Sequence, residues 1–214
     1  MKVLVVGANG QIGKQLVELL KESSEHDVKA MLRKPEQTPE FEEKGVETVI
    51  ASLEGSVEDI SSAAKGCDAI VFAAGSGGHT GLDKTLLVDL DGAVKTVEAA
   101  EQAGIDRFIM VSALQAHKRE NWSEVIKPYY VAKHYADRAL LQSTLNYTII
   151  RPGGLLNEAG TGKIEVDENL KTGSIPRVDV AKTILACLNA ENTFKKSFDL
   201  ISGETDIVDA IKSI

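Results

Sequence analysis

The chain of 214 residues has little cysteine, no concentrated positive charge and no long apolar run, and each shortage removes a class of function. Its two cysteines, Cys67 and Cys187, stand far apart with no Cys-x-x-Cys pairing. A thiol-redox or metal-binding role therefore falls away, and both read as small core residues. No group of His, Cys and carboxylate residues has metal-ligand spacing, so no metal is expected. The net charge is −8 and no strongly basic stretch interrupts it, which argues against nucleic acid as the main partner. No segment is long enough to span a bilayer. The first apolar run is too short for a signal peptide and leads directly into a glycine loop. These features predict a cytoplasmic protein without a membrane partner, working as a monomer or homodimer on a small molecule. The length suits one domain over 1–214, with a nucleotide-binding core over 1–156 and a small C-terminal part over 157–214.

What is present is an alternation. Apolar runs that read as buried strands cover Val3–Val6, Val28–Leu32, Val46–Ala51, Ala69–Ala74, Arg107–Ser112 and Tyr147–Arg151, with a late strand at Ser197–Ile201. Helical patterns lie between them: after Gln11, at Glu40–Lys44, Val57–Lys65, Thr85–Ala103 and Tyr129–Ser143, then Asp179–Leu188 and a short helix from Asp206. Strands alternating with helices imply crossover connections and a parallel sheet covered on both faces. Asn157–Ser174 is less regular, with alternation at Lys163–Val166.

The first strand enters Gly7-Ala8-Asn9-Gly10-Gln11-Ile12-Gly13, and a helix follows at once. Glycines let a ligand approach the backbone, and a helix start offers unpaired N–H groups and the positive end of a dipole, which together suit a pyrophosphate. The first and last glycines hold dinucleotide-fingerprint positions, while the middle one is displaced from the usual G-x-G-x-x-G. In such sites an acidic residue commonly ends the second strand and holds a ribose 2′-hydroxyl. Here that strand ends in Arg33 and Lys34. A guanidinium can pair with a 2′-phosphate, and no carboxylate stands there to repel it, so NADP is favoured over NAD.

Tyr129 and Lys133 are four apart at the start of a helix, which places them on one face. An ammonium beside a phenol favours the phenolate and is expected to lower the tyrosine pKa. A tyrosine so placed can exchange a proton with a carbonyl or alcohol oxygen. Ser112 ends the fifth strand, at the sheet edge where ligands bind, and its hydroxyl can reach the same oxygen. Tyr130 lies three before Lys133 and competes for that side. His79, His117, Trp122 and His134 sit in loops or faces near the expected cleft and read as surface or anchoring residues.

The glycine loop resembles the G-x-x-G-x-x-G of extended and atypical short-chain dehydrogenases/reductases. Ala73-Ala74-Gly75, Phe108–Ser112, Tyr129–Lys133, Ile150–Gly153, Ile175–Ala181 and Phe198–Gly203 resemble that superfamily in the same order. The nearest likeness is to small atypical members, among them epimerase/dehydratase-like, NmrA-like and flavin reductase-like proteins. The resemblance implies a Rossmann-type sheet of strand order 3-2-1-4-5-6 plus a seventh strand. It implies cofactor contacts at Gly7, Asn9, Gly10, Gln11 and Ile12, with Arg33 on the 2′-phosphate and Leu53 beside the adenine. It places Ala73, Ala74 and Gly75 along the ribose and pyrophosphate, Lys133 on the nicotinamide ribose, and Pro152 and Gly153 by the nicotinamide. Tyr129, Lys133 and Ser112 would be the catalytic set. Two departures stand out: Ser52 where the family often has Asp, and Ala113 after Ser112. Two functions are compatible with this pattern, an NADP-dependent oxidoreductase or epimerase acting on a small carbonyl or alcohol, and a non-catalytic NADP-binding sensor.

Overall fold

A computed structural model describes residues 1–214. Nine strands form one sheet. From one edge they run β3 (Glu47–Ile50), β2 (Asp27–Leu32), β1 (Lys2–Val6), β4 (Ala69–Phe72), β5 (Arg107–Val111), β6 (Asn146–Pro152) and β10 (Lys196–Ser202). All these neighbours pair in parallel. This is the Rossmann-type order 3-2-1-4-5-6, and the late strand joins it beside the sixth. Two further strands, β8 (Lys163–Asp167) and β11 (Thr205–Asp206), finish that edge in antiparallel pairing. β7 (Gly154–Leu156) and β9 (Ser174–Pro176) make a separate two-stranded parallel ribbon. The alternation at Lys163–Val166 marks β8, whereas the ribbon has no clear sequence signature.

Successive side chains of each central strand serve opposite faces, which explains the unbroken apolar runs. Val3 and Val5 join a core of 29 buried residues, while Leu4 and Val6 join a second core of 22. The first core lies under α1 (Gln11–Glu22) and α7 (Arg177–Leu188), which pack on each other. The second lies under α3 (Val57–Ala64), α5 (Gly92–Ala103) and α6 (Lys127–Gln142). Burying each such aliphatic chain contributes about 1.5–3 kcal/mol before entropy is charged against it. Cys67 and Cys187 are free and buried. Burial pushes both thiols up, Cys187 to about 12, as inert core residues require.

The helix expected over Thr85–Ala103 differs in kind. It starts as α4 (Leu82–Lys84), widens into a π-helical stretch over Thr85–Asp91, and becomes regular only from Gly92. Gly104, at φ +69°, closes it in the left-handed conformation. No helix is long and apolar enough to cross a membrane.

Candidate cofactor cleft and active site

The glycine loop joins β1 to α1 under tight steric rules. Gly7 sits at φ +85°, and a Cβ there would lie 2.6 Å from the backbone of Ala74. A Cβ on Gly13 would lie 2.2 Å from the Gly7 carbonyl oxygen, so this glycine lets the helix close onto the turn. Gly10 is different. Its added Cβ would meet only the Gly7 oxygen, at 3.1 Å, and otherwise enters open space. The helix start has no side-chain cap and no acidic residue in its first turn. The N–H groups of Gln11, Ile12 and Gly13 meet no acceptor in the chain, while Gly10 donates to Gly7 O at 2.9 Å. Orphan donors at the positive end of a helix, with glycine clearance in front, fit a pyrophosphate.

A cleft of about 240 Å³ opens from this loop. Gly7, Asn9, Gly10, Arg33, Leu53, Ala73, Ala74 and Gly75 all line it, as do Gln37, Ser52, Glu54, Ser76 and Val88. Arg33 is exposed at the end of β2, and its guanidinium makes no ion pair within the chain. Its backbone N–H and that of Lys34 both donate to Gln37 Oε1, at 3.1 Å each, which fixes the turn. Lys34 does not line the cleft. Ile12 turns its side chain into the core and Gln11 is exposed outside the cleft, so only their N–H groups are placed for a ligand. Sequence reading missed Gln37 and Glu54. Glu54 brings a carboxylate to the cleft, held by Lys84 at 2.7 Å.

Beyond the far end of β4 lies a buried polar centre. Lys133, only 4 % exposed, donates from Nζ to Val111 O at 3.2 Å and lies 3.5 Å from Asp89 Oδ1. The same Nζ is 5.7 Å from the Tyr129 ring centroid, so α6 does present the tyrosine and lysine on one face. Ser112 follows Val111 directly, is buried, and its Oγ has no hydrogen-bond partner. A buried hydroxyl left unpaired costs free energy and marks a place where another group belongs. The structure thus brings Tyr129 and Lys133 together and places Ser112 next in chain to the carbonyl that Lys133 holds. Tyr130 turns away and stacks on Trp122, with centroids 6.0 Å apart and planes 9° from parallel. Pro152 is buried at the end of β6 and Gly153 packs against Gly173; neither lines the cleft.

One expectation is corrected here. The lysine does not lower the Tyr129 pKa overall. Burial raises it; Lys133 opposes this, and the charges of Asp89, Tyr130 and Asp137 reinforce it. The phenol stays protonated through neutral pH. For Lys133, burial works against the ammonium, but Tyr129, Asp89 and Asp137 outweigh it and hold its pKa above the usual value. Asp89 was not foreseen. Its one sequence signal is a carboxylate set between Val88 and Leu90 in an otherwise apolar stretch.

A family profile described as NAD(P)H-binding matches residues 7–191. The chain belongs to that NAD(P)H-binding family. It is 61% identical over 214 residues, the whole of both chains, to a protein of Bacillus subtilis (strain 168) called the uncharacterized sugar epimerase YhfK. A solved structure from Bacillus halodurans, labelled an NAD-dependent epimerase/dehydratase, superposes with a TM-score of 0.94 at 45% identity and covers 100% of both chains. ChuY from Escherichia coli O157:H7, described as an anaerobillin reductase, superposes with a TM-score of 0.83 at 25% identity, over 96% of this chain and 99% of its own. The family is oxidoreductase- and epimerase-like. Its relatives cover both reductive and epimerising labels, so membership alone does not select a reaction.

Proposed function

We propose that the chain is an NADP-dependent oxidoreductase acting on a small carbonyl compound. The observation that carries this reading is the Tyr129–Lys133 pair at the carboxyl end of the parallel strands, joined through Asp89 to Ser76 of the glycine cleft, with an unpartnered Ser112 hydroxyl at the end of β5. Preference for NADP is supported by the unpaired Arg33 guanidinium at the cleft, whose forked donors suit a 2′-phosphate. Gly10 clears room for the pyrophosphate and the N–H groups of α1 receive it. When bound, the reduced dinucleotide supplies the hydride that the carbonyl carbon needs.

The chain's own residues handle the oxygen side. Ser112 Oγ–H donates to the carbonyl oxygen and polarises the C=O bond. Tyr129 passes its proton to that oxygen as the bond opens to a hydroxyl, and the Lys133 ammonium, its charge partly offset by Asp89, favours the phenolate left behind until water returns the proton. A positioned acid of this kind contributes about 10²–10⁴-fold in rate. The test is NADPH oxidation against quinones, flavins, aldehydes and ketones, with sugar nucleotides screened separately for epimerisation. Turnover of carbonyl compounds that Tyr129→Phe removes supports the reading. Tight NADPH binding with no turnover on any of these substrates replaces it with a cofactor-binding sensor.

A further inference from the structure

Asp89 is a buried carboxylate, 1% exposed, in the π-helical stretch between α4 and α5. Such widened turns concentrate at functional sites because they re-aim a side chain that a regular helix would point elsewhere. Here the aim is specific. Oδ1 faces Lys133 Nζ at 3.5 Å, and Oδ2 accepts the Ser76 N–H at 3.0 Å. The carboxylate also closes on Gly75, where an added Cβ would sit 3.2 Å from Oδ1. One side chain therefore ties the lysine of the polar centre to the loop that lines the dinucleotide cleft.

Few charged groups face the lysine. From its own helix, Asp137 faces the pair, but its Oδ2 is held by Arg151 Nε at 2.9 Å. From β5 comes only the Val111 carbonyl, and from β4 the Phe72 ring, 5.9 Å from Nζ. Tyr130, next to Tyr129 with ring centroids 6.1 Å apart, is a neutral phenol stacked on Trp122. Asp89 has no other cation and Lys133 no other ion pair. The two form a buried ion pair, so Asp89 offsets part of the positive charge that would draw a proton off Tyr129.

We infer that Asp89 is a positioning residue that fixes Lys133 and keeps Tyr129 as a proton donor, which commits the site to carbonyl reduction rather than to epimerisation. Epimerisation through a transient ketone begins by taking a proton from an alcohol, which needs the phenolate. Reduction needs the phenol. Tyr129 is raised first by burial and further by Asp89, against Lys133, which agrees with the second. This inference rests on the reductase reading for its consequence, but its physical core concerns Tyr129 alone.

The experiment is an ultraviolet titration of the phenolate in the cofactor-free protein, with Tyr129 isolated by subtracting the Tyr129→Phe titration. It is run on the wild type, on Asp89→Asn, and on Asp89→Asn combined with Lys133→Met. The isosteric Asp89→Asn is chosen because deleting the side chain outright invites misfolding, and circular dichroism checks the fold. In Asp89→Asn the Tyr129 phenolate is expected at lower pH, by on the order of one unit, because Lys133 is then uncompensated. Adding Lys133→Met is expected to abolish that downward shift. A Tyr129 titration that is the same in wild type and Asp89→Asn overturns the inference, as does a shift that survives loss of the lysine. Absence of carbonyl reduction by the wild type, with the shift present, defeats the reductase reading and leaves the role of Asp89 standing.

Discussion

The glycine-lined cleft and the polar centre around Lys133 are built on opposite plans. At the loop the cleft relies on backbone, with glycine clearances and orphan N–H groups, and its rim carries exposed polar side chains such as Arg33 and Glu54. The centre is made of side chains that are almost wholly out of water, with Lys133, Asp89 and Ser112 each under 5% exposed. Screening by water weakens what Arg33 can do, whereas burial strengthens every charge around Tyr129. Substitutions should therefore separate the two regions. Those in the cleft change which dinucleotide binds and how tightly, and those in the centre change proton transfer.

The largest effect on binding is expected from Gly10→Val. The open space at Gly10 lets the fold survive, but a branched side chain fills the pyrophosphate position, so NADPH titration should show no binding while circular dichroism stays native. Gly13→Ala sharpens the contrast within the same loop. Its Cβ would strike the Gly7 carbonyl at 2.2 Å, so it should lower stability in a thermal melt, by about 1–3 kcal/mol as other overpacked sites do.

The pH dependence comes next. On the proposed reading Tyr129 is the acid, with a pKa raised above the ordinary tyrosine value of about 10. Its proton is present at all lower pH and lost only as the pH rises through that raised value. The rate of carbonyl reduction at saturating NADPH should be flat across neutral pH and fall only on the far alkaline side. A fall centred below the ordinary tyrosine value would mean that Lys133 wins after all.

Smaller effects belong to the exposed rim. Arg33→Ala should cost NADPH about tenfold in affinity, roughly 1.4 kcal/mol, and leave NADH nearly unchanged, the charge-assisted bonds being discounted for exposure. Equal losses for both dinucleotides would remove Arg33 from the 2′-phosphate. Glu54→Gln should tighten NADPH by only a few-fold, since Lys84 already holds that carboxylate. Both follow from fluorescence titrations at two salt concentrations.

The strands were legible because fully buried parallel strands must be apolar on both faces, as Val3–Val6 and Phe108–Val111 are, while their order followed from the family resemblance. The glycine loop was legible because its clearances are demanded at fixed spacing. The rest depends on contacts through space. Nothing local marks Gln37 as the acceptor that holds the Arg33 turn, or Glu54 as a cleft residue. The π-helical widening at Thr85–Asp91 is not encoded in the 3.6-residue periodicity that predicted one regular helix, so the aim of Asp89 was hidden with it. The Tyr129–Lys133 spacing was readable, but the direction of the Tyr129 shift was not, because burial decides it and the carboxylate that adds to it lies 44 positions away from the lysine in sequence. The edge strand β11 and the β7–β9 ribbon are too short for patterning to define.

Separation of the two regions is tested most directly by Tyr129→Phe, followed in parallel by NADPH affinity and by carbonyl-reduction turnover. The ring and its packing remain and only the transferable proton goes. The expected result is wild-type affinity with turnover reduced by about 10²-fold or more. Turnover equal to the wild type would contradict the assignment of Tyr129 as the proton donor, and loss of NADPH binding would contradict the independence of cleft and centre.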